Sequence, residues 1–501
     1  MLMQLRENAQ RPAQRLRLRK RWIAWLLIAA WGGLGAWHTI KPLPPGTNVY
    51  AVAEADEAVF LYDLTYRSPQ GRMVREQRIF DEVMRIVDEA RSFIVADFFL
   101  LNDLMGFADA VHRPLSRELA NRLTARKAQN PELAILLVTD PINDVYGGAP
   151  SALLQELRTA GLDVIVTDLE PLRDSNPLYS AFWRMFVQWW GNSPPGGWLP
   201  NPFASDGSEI TLRSWLALLN FKANHRKVII ADRADGALVG LVASANPHDA
   251  SSAHSNVALR FEGELAEHAL ASEMAIARYS GWRDHIYAAN SREPSADPTA
   301  ARAQQTKLAF ITEEAVRDHL LDALACTRNG DLIRIALFYL SDRRVIEALL
   351  DAAARGVAVQ LILDPNRDAF GLEKDGIPNR PVANELTTRS DGAVAVRWYR
   401  THGEQFHTKL ALATCGDRLI ASLGSANFTR RNLGGYNLEA NVAVDAPADS
   451  ALARDMTAYF ERLWNNEDGV EYTAPFGAWQ DESRARYWRY RLMEWSGLST
   501  F

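Results

Sequence analysis

Two stretches decide the reading. One is His225-Arg226-Lys227-Val228-Ile229-Ile230-Ala231-Asp232, followed by Ser244-Ala245-Asn246. The other is His407-Thr408-Lys409-Leu410-Ala411-Leu412-Ala413-Thr414, followed by Gly424-Ser425-Ala426-Asn427. The serine trails the histidine by 19 residues in the first and 18 in the second. Side chains alternate along a strand, so a histidine and a lysine two apart share one face. A turn closes each apolar run (Ala234-Asp235-Gly236; Cys415-Gly416-Asp417), and a return strand brings serine and asparagine back to the same end. One imidazole, one ammonium and a Ser/Asn pair converge, twice.

The surroundings repeat as well. The first half contains FIVADFFLLND (93–103), LAILLVTDPINDVYGG (133–148) and LDVIVTDL (162–169). The second contains LIRIALFYLSD (332–342), VAVQLILDPNRDAFG (357–371) and AVAVRWY (393–399). Continuous apolar runs of this length predict strands buried on both faces. Ser151 to Gly161 and Ser341 to Gly356 predict helices, each with a serine N-cap before it and a glycine after. Asp140-Pro141-x-x-Asp144 matches Asp364-Pro365-x-x-Asp368. The pattern predicts a duplicated α/β fold with a parallel or mixed sheet under helices in each half. The polar, alanine-rich segment 288–307 reads as the linker between them.

Paired imidazoles and ammonium groups suit a phosphodiester. Attack on phosphorus builds negative charge, which lysines and amide donors stabilise. One neutral imidazole can attack and form a phosphohistidine. A second can protonate the leaving alkoxide and then deprotonate the incoming nucleophile. This chemistry needs no metal, and no cofactor is expected.

Composition narrows the partners. The chain has 501 residues, 48% hydrophobic and 23% charged, as globular chains do. Net charge is −6 overall. Residues 1–21 hold seven basic residues and one acid, so the remaining body sums to −12. Such a body is a poor match for duplex nucleic acid, whose binders neutralise phosphates. The two cysteines, Cys326 and Cys415, exclude a disulfide scaffold and a cysteine-rich zinc site. They are expected as unpaired buried thiols, with a single bridge as the alternative.

Residues 22–40 (WIAWLLIAAWGGLGAWHTI) are uncharged. As a helix they would reach about 28 Å, near the ~30 Å hydrocarbon thickness. The cations before Trp22 would keep the N-terminus cytoplasmic and the body outside. A membrane anchor is the leading reading, and a cleaved signal peptide is its rival.

The double His-x-Lys motif, each copy followed by Ser-x-Asn, resembles the phospholipase D superfamily. NFKANHRKVIIAD (220–232), preceded by an apolar anchor, is similar to the cardiolipin synthase branch. The resemblance implies two α/β sandwich domains related by a pseudo-two-fold axis, with one active site between them. It implies that His225 and His407 are nucleophile and acid/base, with the nucleophile in the first half. It makes Lys227, Lys409, Asn246 and Asn427 phosphate contacts, with Ser244 and Ser425 beside them as further phosphate-binding residues. Asp232 closes the first motif as the family's aspartate does, whereas Thr414 stands at that position in the second. The family's histidine-orienting acid matches Glu439, expected on His407. Aligning Asn256-Val257-Ala258 with Asn441-Val442-Ala443 sets His254 opposite Glu439. That leaves His225 to Asp249 or to a residue of the other half.

Two further segments bear on substrate. Residues 178–203 carry eight aromatics and suit either a bilayer headgroup region or a plug over the core. The run RARYWRYRLMEW (484–495) is either membrane-facing or packed. The expected organisation is a basic tail (1–21), an anchor (22–40), a spacer (41–74), a first domain (75–287), the linker, a second domain (308–470) and a C-terminal tail (471–501). The expected function is phosphodiester transfer or hydrolysis on phospholipids at a membrane, with the body extracytoplasmic. A superfamily nuclease and an inactive membrane scaffold are the alternatives.

Overall fold

The computed structural model of the chain describes residues 2–54, 57–106, 112–203, 209–283, 305–369, 372–499 and 501. The expected linker lies outside the described residues except for 305–307.

The apolar runs form the parallel centre of each sheet. In the first half Phe93–Phe98, Ala134–Thr139 and Asp163–Val166 pair in parallel. Antiparallel strands Lys227–Asp232, Leu238–Ala243, Asn256–Glu262, Ala58–Arg67 and Met73–Glu76 complete an eight-stranded sheet. In the second half Leu332–Leu337, Ala358–Leu363 and Val394–Tyr399 are the parallel centre. Lys409–Cys415, Arg418–Gly424, Ala440–Pro447 and Lys307–Thr312 extend it in antiparallel fashion. The register repeats: Lys227 lies opposite Phe98, and Lys409 opposite Leu337.

Three sequence expectations are corrected. The segment 41–74 is not a spacer: Tyr50–Glu54 joins the edge of the second sheet, while Ala58–Arg67 and Met73–Glu76 join the first. One stretch of chain thus stitches both halves. The helix after Leu332–Leu337, Arg343–Ala354, is capped by Asp342, not Ser341. The Asp342 carboxylate accepts from the N–H groups of Arg344 and Val345, whereas a serine would accept one. The first such helix, Ala152–Thr159, does start on Ser151. Finally, Cys326 and Cys415 form a disulfide, with Cα atoms 5.9 Å apart.

The sheets pack face to face through one shared core. Val228, Val242, Leu259 and Phe261 of the first half meet Leu410, Leu412, Leu423 and Val442 of the second, all buried. Each such side chain contributes about 1.5–3 kcal/mol on burial, so the halves are held as one body. The site between them depends on that rigidity.

Of the 178–203 segment, Pro177–Phe186 is a helix. Trp183 is buried, while Phe182, Phe186, Trp189, Trp190 and Trp198 are exposed. Arg21–Ile40, within the N-terminal helix Leu2–Ile40, is among the described residues the one segment long and apolar enough to cross a membrane.

Candidate active site

Each motif histidine sits just ahead of a strand, in a loop that a buried aspartate grips. Asp140 accepts the backbone N–H of Asn224 (2.7 Å) and that of Ile142 (2.8 Å). Asp364 accepts the N–H of Phe406 (2.7 Å) and that of Asn366 (2.6 Å). These are the repeated Asp-Pro loops of the sequence. Their work is to fix the residue before each histidine. Burial pushes their carboxyls up, to about 8 for Asp140 and about 7 for Asp364, against the pull of the accepted N–H groups.

The loops then cross between the halves. Asn224 bridges to Leu438, and Phe406 bridges to Ser255. Each histidine is thereby delivered to an orienting residue of the opposite half. His225 Nδ1 lies 3.0 Å from Glu439 Oε2. His407 Nδ1 lies 3.1 Å from Asn256 Oδ1. The expected pairing of Glu439 with His407 is therefore corrected: Glu439 serves His225, and an amide serves His407.

The alignment behind that expectation was two residues out. Ser244 donates to Asn256 (2.9 Å), and Ser425 donates to Glu439. Each serine oxygen also accepts the next N–H along, from Val257 (3.0 Å) and Ala440 (3.0 Å). Asn256 is thus the counterpart of Glu439. The loop between serine and orienter is two residues longer in the second half, which hid the match. The same contacts correct the expected phosphate role of Ser244 and Ser425. Both are fully buried, and their hydroxyls are committed to the orienters.

The rest of the site repeats with the same symmetry. Lys227 donates to the His225 carbonyl, and Lys409 to that of His407 (2.8 Å). Each ammonium also lies over an aromatic face, Lys227 over Phe99 (4.9 Å) and Lys409 over Phe338 (5.3 Å). The same rings pack on the imidazoles, with centroids 4.8 Å and 5.0 Å apart. Phe99 and Phe338 were not foreseen. Their signal was an aromatic directly after the first parallel strand of each half. Asn246 accepts from Leu100 N (3.2 Å) through Oδ1, which leaves its amide N–H groups for a ligand. The Asn427 Oδ1 is buried with no hydrogen bond among the described residues.

Asp232 lies at the far end of its strand and accepts N–H groups of Arg91, Ser92 and Phe93. It holds the entry to the neighbouring strand. Thr414 does the same with less: it accepts from Leu332 N (2.7 Å) and donates to Leu332 O (3.1 Å). Asp331 takes up the remainder, accepting from Gly416 (3.2 Å) and Arg328 (2.7 Å). The missing motif aspartate is thus replaced locally, away from the imidazoles.

The electrostatics are asymmetric. Burial, with Lys227 nearby, lowers His225 to about 4 against the opposing pull of Glu439. Burial would raise Glu439, but His225 and Lys227 hold its carboxyl below the usual range. The pair therefore rests as neutral imidazole and carboxylate. His407 is lowered well below its usual value by burial, Lys409 and His254. Burial also lowers Lys227, to about 7, and lowers Lys409 strongly. An anionic phosphodiester entering this site would favour the protonated form of every one of these groups.

Residues 320–464 match the family model described as "Cardiolipin synthase, PLD-like domain". Over those residues the chain is similar to a phospholipase D-like domain. No curated protein matches the sequence. The phosphatidylserine synthase structure from Haemophilus influenzae Rd KW20 is 10% identical over 93% of this chain and 98% of that one, with a TM-score of 0.56. It shows that the two-sheet fold is shared over nearly the whole molecule. The phospholipase D family member Nuc from Salmonella typhimurium is 17% identical over 34% of this chain and 97% of that one, with a TM-score of 0.26.

Proposed function

We propose that the protein is a membrane-anchored phosphatidyltransferase that acts on glycerophospholipids through a covalent intermediate on His225. The observation that carries this is the crossed pairing: a carboxylate behind His225 and an amide behind His407. With Nδ1–H donated to Glu439, His225 turns its Nε2 lone pair toward phosphorus. As the Nε2–P bond forms, the P–O bond to the leaving alcohol breaks. The imidazole becomes cationic, and Glu439 stabilises that charge. His407, protonated once the anionic substrate is bound, gives its proton to the leaving alkoxide. Neutral again, it takes a proton from the acceptor alcohol, whose oxygen attacks phosphorus and breaks the P–N bond. His225 and protonated His407 are regenerated. Lys227, Lys409, Asn246 and Asn427 hold the phosphoryl oxygens through both steps.

Seclusion favours transfer over hydrolysis. His225 and His407 are only 8% and 9% exposed, and both lysines are fully buried. A phosphohistidine there is shielded from bulk water. The acidic body weighs against a nucleic-acid substrate. The Cys326–Cys415 bridge supports an extracytoplasmic body, since such bridges persist in oxidising compartments.

The test is purified full-length protein with labelled phosphatidylglycerol in EDTA, with and without added glycerol or lipid alcohol, and separately with DNA. Labelled phosphatidyl transfer that persists in EDTA is expected. Release of phosphatidate alone would convert the reading to hydrolysis. Cleavage of DNA without lipid turnover would overturn it.

A further inference from the structure

The nine residues Trp22 to Ala30 of the N-terminal helix are all exposed, and from Trp31 onward protein begins to cover one side of it, with Trp37 and Ile40 still exposed. Nine residues of helix reach about 14 Å, half of the ~30 Å a hydrocarbon core requires. The cations that precede Trp22 prevent the slab from shifting toward the N-terminus. The missing thickness must lie at the level of Trp31 to Ile40, where other parts of the molecule pack. Trp31 Nε1 donates to Leu178 O (2.9 Å), and the backbone of Pro177 lies directly over Gly35. The helix Pro177–Phe186 therefore stands beside the second half of the apolar segment. Its exposed face is Leu178, Phe182 and Phe186, one every four residues, and Trp189, Trp190 and Trp198 follow.

A second element arrives independently at the same place. The C-terminal helix Arg484–Ser496 ends against the start of the insertion helix: Gly497 is packed onto the Ser175 carbonyl. Arg430 donates to both Ser175 O (3.2 Å) and Glu494 O (3.4 Å) and ties the two together. Trp488, Leu492 and Trp495 lie on one face of this helix, 61–74% exposed, and Leu498 extends it. Beside the insertion helix Asp174 is turned inward and paired with Arg184 (2.8 Å) and with Lys222. That inward pairing is what burial beside hydrocarbon demands.

We propose that the insertion helix and the C-terminal helix are seated in the bilayer beside the N-terminal segment, so that the three form one membrane-embedded platform. The proposal rests on the anchoring reading of residues 22–40. The insertion lies in the connection from Asp163–Val166 to Lys227–Asp232, the end of the sheet that carries His225. Lys222, three residues before His225, donates to the carbonyl of Leu172 (2.9 Å) and pairs with Asp174, whose N–H binds the His38 carbonyl (2.8 Å). The membrane thus meets the protein on the motif side, and a phospholipid reaches phosphorus-attacking distance without crossing open water.

The experiment places an environment-sensitive dye by Ile28→Cys, Phe182→Cys, Trp495→Cys and Asp351→Cys in the full-length protein. Each variant is reconstituted in vesicles of phosphatidylethanolamine and phosphatidylglycerol with spin-labelled lipid. Labels at 28, 182 and 495 should be quenched several-fold more than that at Asp351, which is exposed on the helix Arg343–Ala354. If 28 is quenched but 182 or 495 behaves like 351, the platform is overturned while the anchor stands. An unquenched label at 28 defeats both. Quenching is read without turnover, so lipid-quenched labels on an inactive protein would support the platform and count against the proposed reaction.

Discussion

Glu439 and Asn256 occupy matching positions, yet one is a carboxylate and the other an amide. In the proposed mechanism that single difference divides the labour between two otherwise equivalent imidazoles. Glu439→Gln keeps the hydrogen bond and removes the charge, so kcat should fall by roughly 10²–10⁴, the range up to which a carboxylate behind a catalytic imidazole contributes. Asn256→Asp sets a carboxylate behind His407 and favours its imidazolium form. The general acid would then survive to higher pH, and the alkaline limb of the pH–rate profile should move upward. The acid limb reports His225, which must be neutral to attack. With its imidazole lowered to about 4, kcat/KM should hold down to that region and be lost as pH falls through it. Steady-state pH profiles of the parent and both variants check all three statements. An unmoved alkaline limb in Asn256→Asp would remove His407 as the acid. The meeting of each motif histidine with its lysine was legible, because the spacing repeats. Asn256 was not, because two extra residues in one loop shifted its apparent partner to His254.

The elements show which motif positions are architecture. Arg226 lies between His225 and Lys227, is fully buried, and pairs with Glu273 (3.0 Å) and Glu313 (2.8 Å). Glu313 also accepts the Glu439 backbone N–H (3.2 Å), so one cluster joins the His225 loop to its orienter. Arg226→Met leaves two buried carboxylates uncompensated and should cost about 3–5 kcal/mol. Denaturant unfolding would register that loss. Thr414→Val removes two hydrogen bonds to Leu332 and should cost roughly 1–3 kcal/mol, with kcat of the folded protein unchanged. A large loss of kcat there would mean that the position acts on chemistry after all. The parallel strands were plain in the sequence because continuous apolar runs have few other readings. The strand at 50–54 was missed because a short edge segment near a proline-rich stretch carries little pattern of its own, and that at 58–67 because Asp63 and Thr65 interrupt its apolar run.

At the scale of the molecule, neither half contains a working site. Each histidine takes its orienter from the other half, and the shared apolar core holds the register between them. The chain that threads from the N-terminal helix through both sheets ties the same geometry to that helix. A reporter active only outside the cytoplasm, fused after Phe501, should be active, and Cys326 and Cys415 should resist alkylation until reduced. A cytoplasmic-only reporter working at that end would reverse the topology. Duplication was legible in the paired motifs, and a residue of the other half was one of two candidates for the His225 orienter, but no local pattern says which half a loop will contact. The central claim is that His225, backed by the other half's Glu439, carries the phosphatidyl group. The direct measurement is a rapid acid quench during turnover, followed by peptide mass mapping of both motif peptides. The account predicts a phosphoryl-lipid adduct on the peptide containing His225. An adduct on the His407 peptide, with none on that of His225, would contradict it.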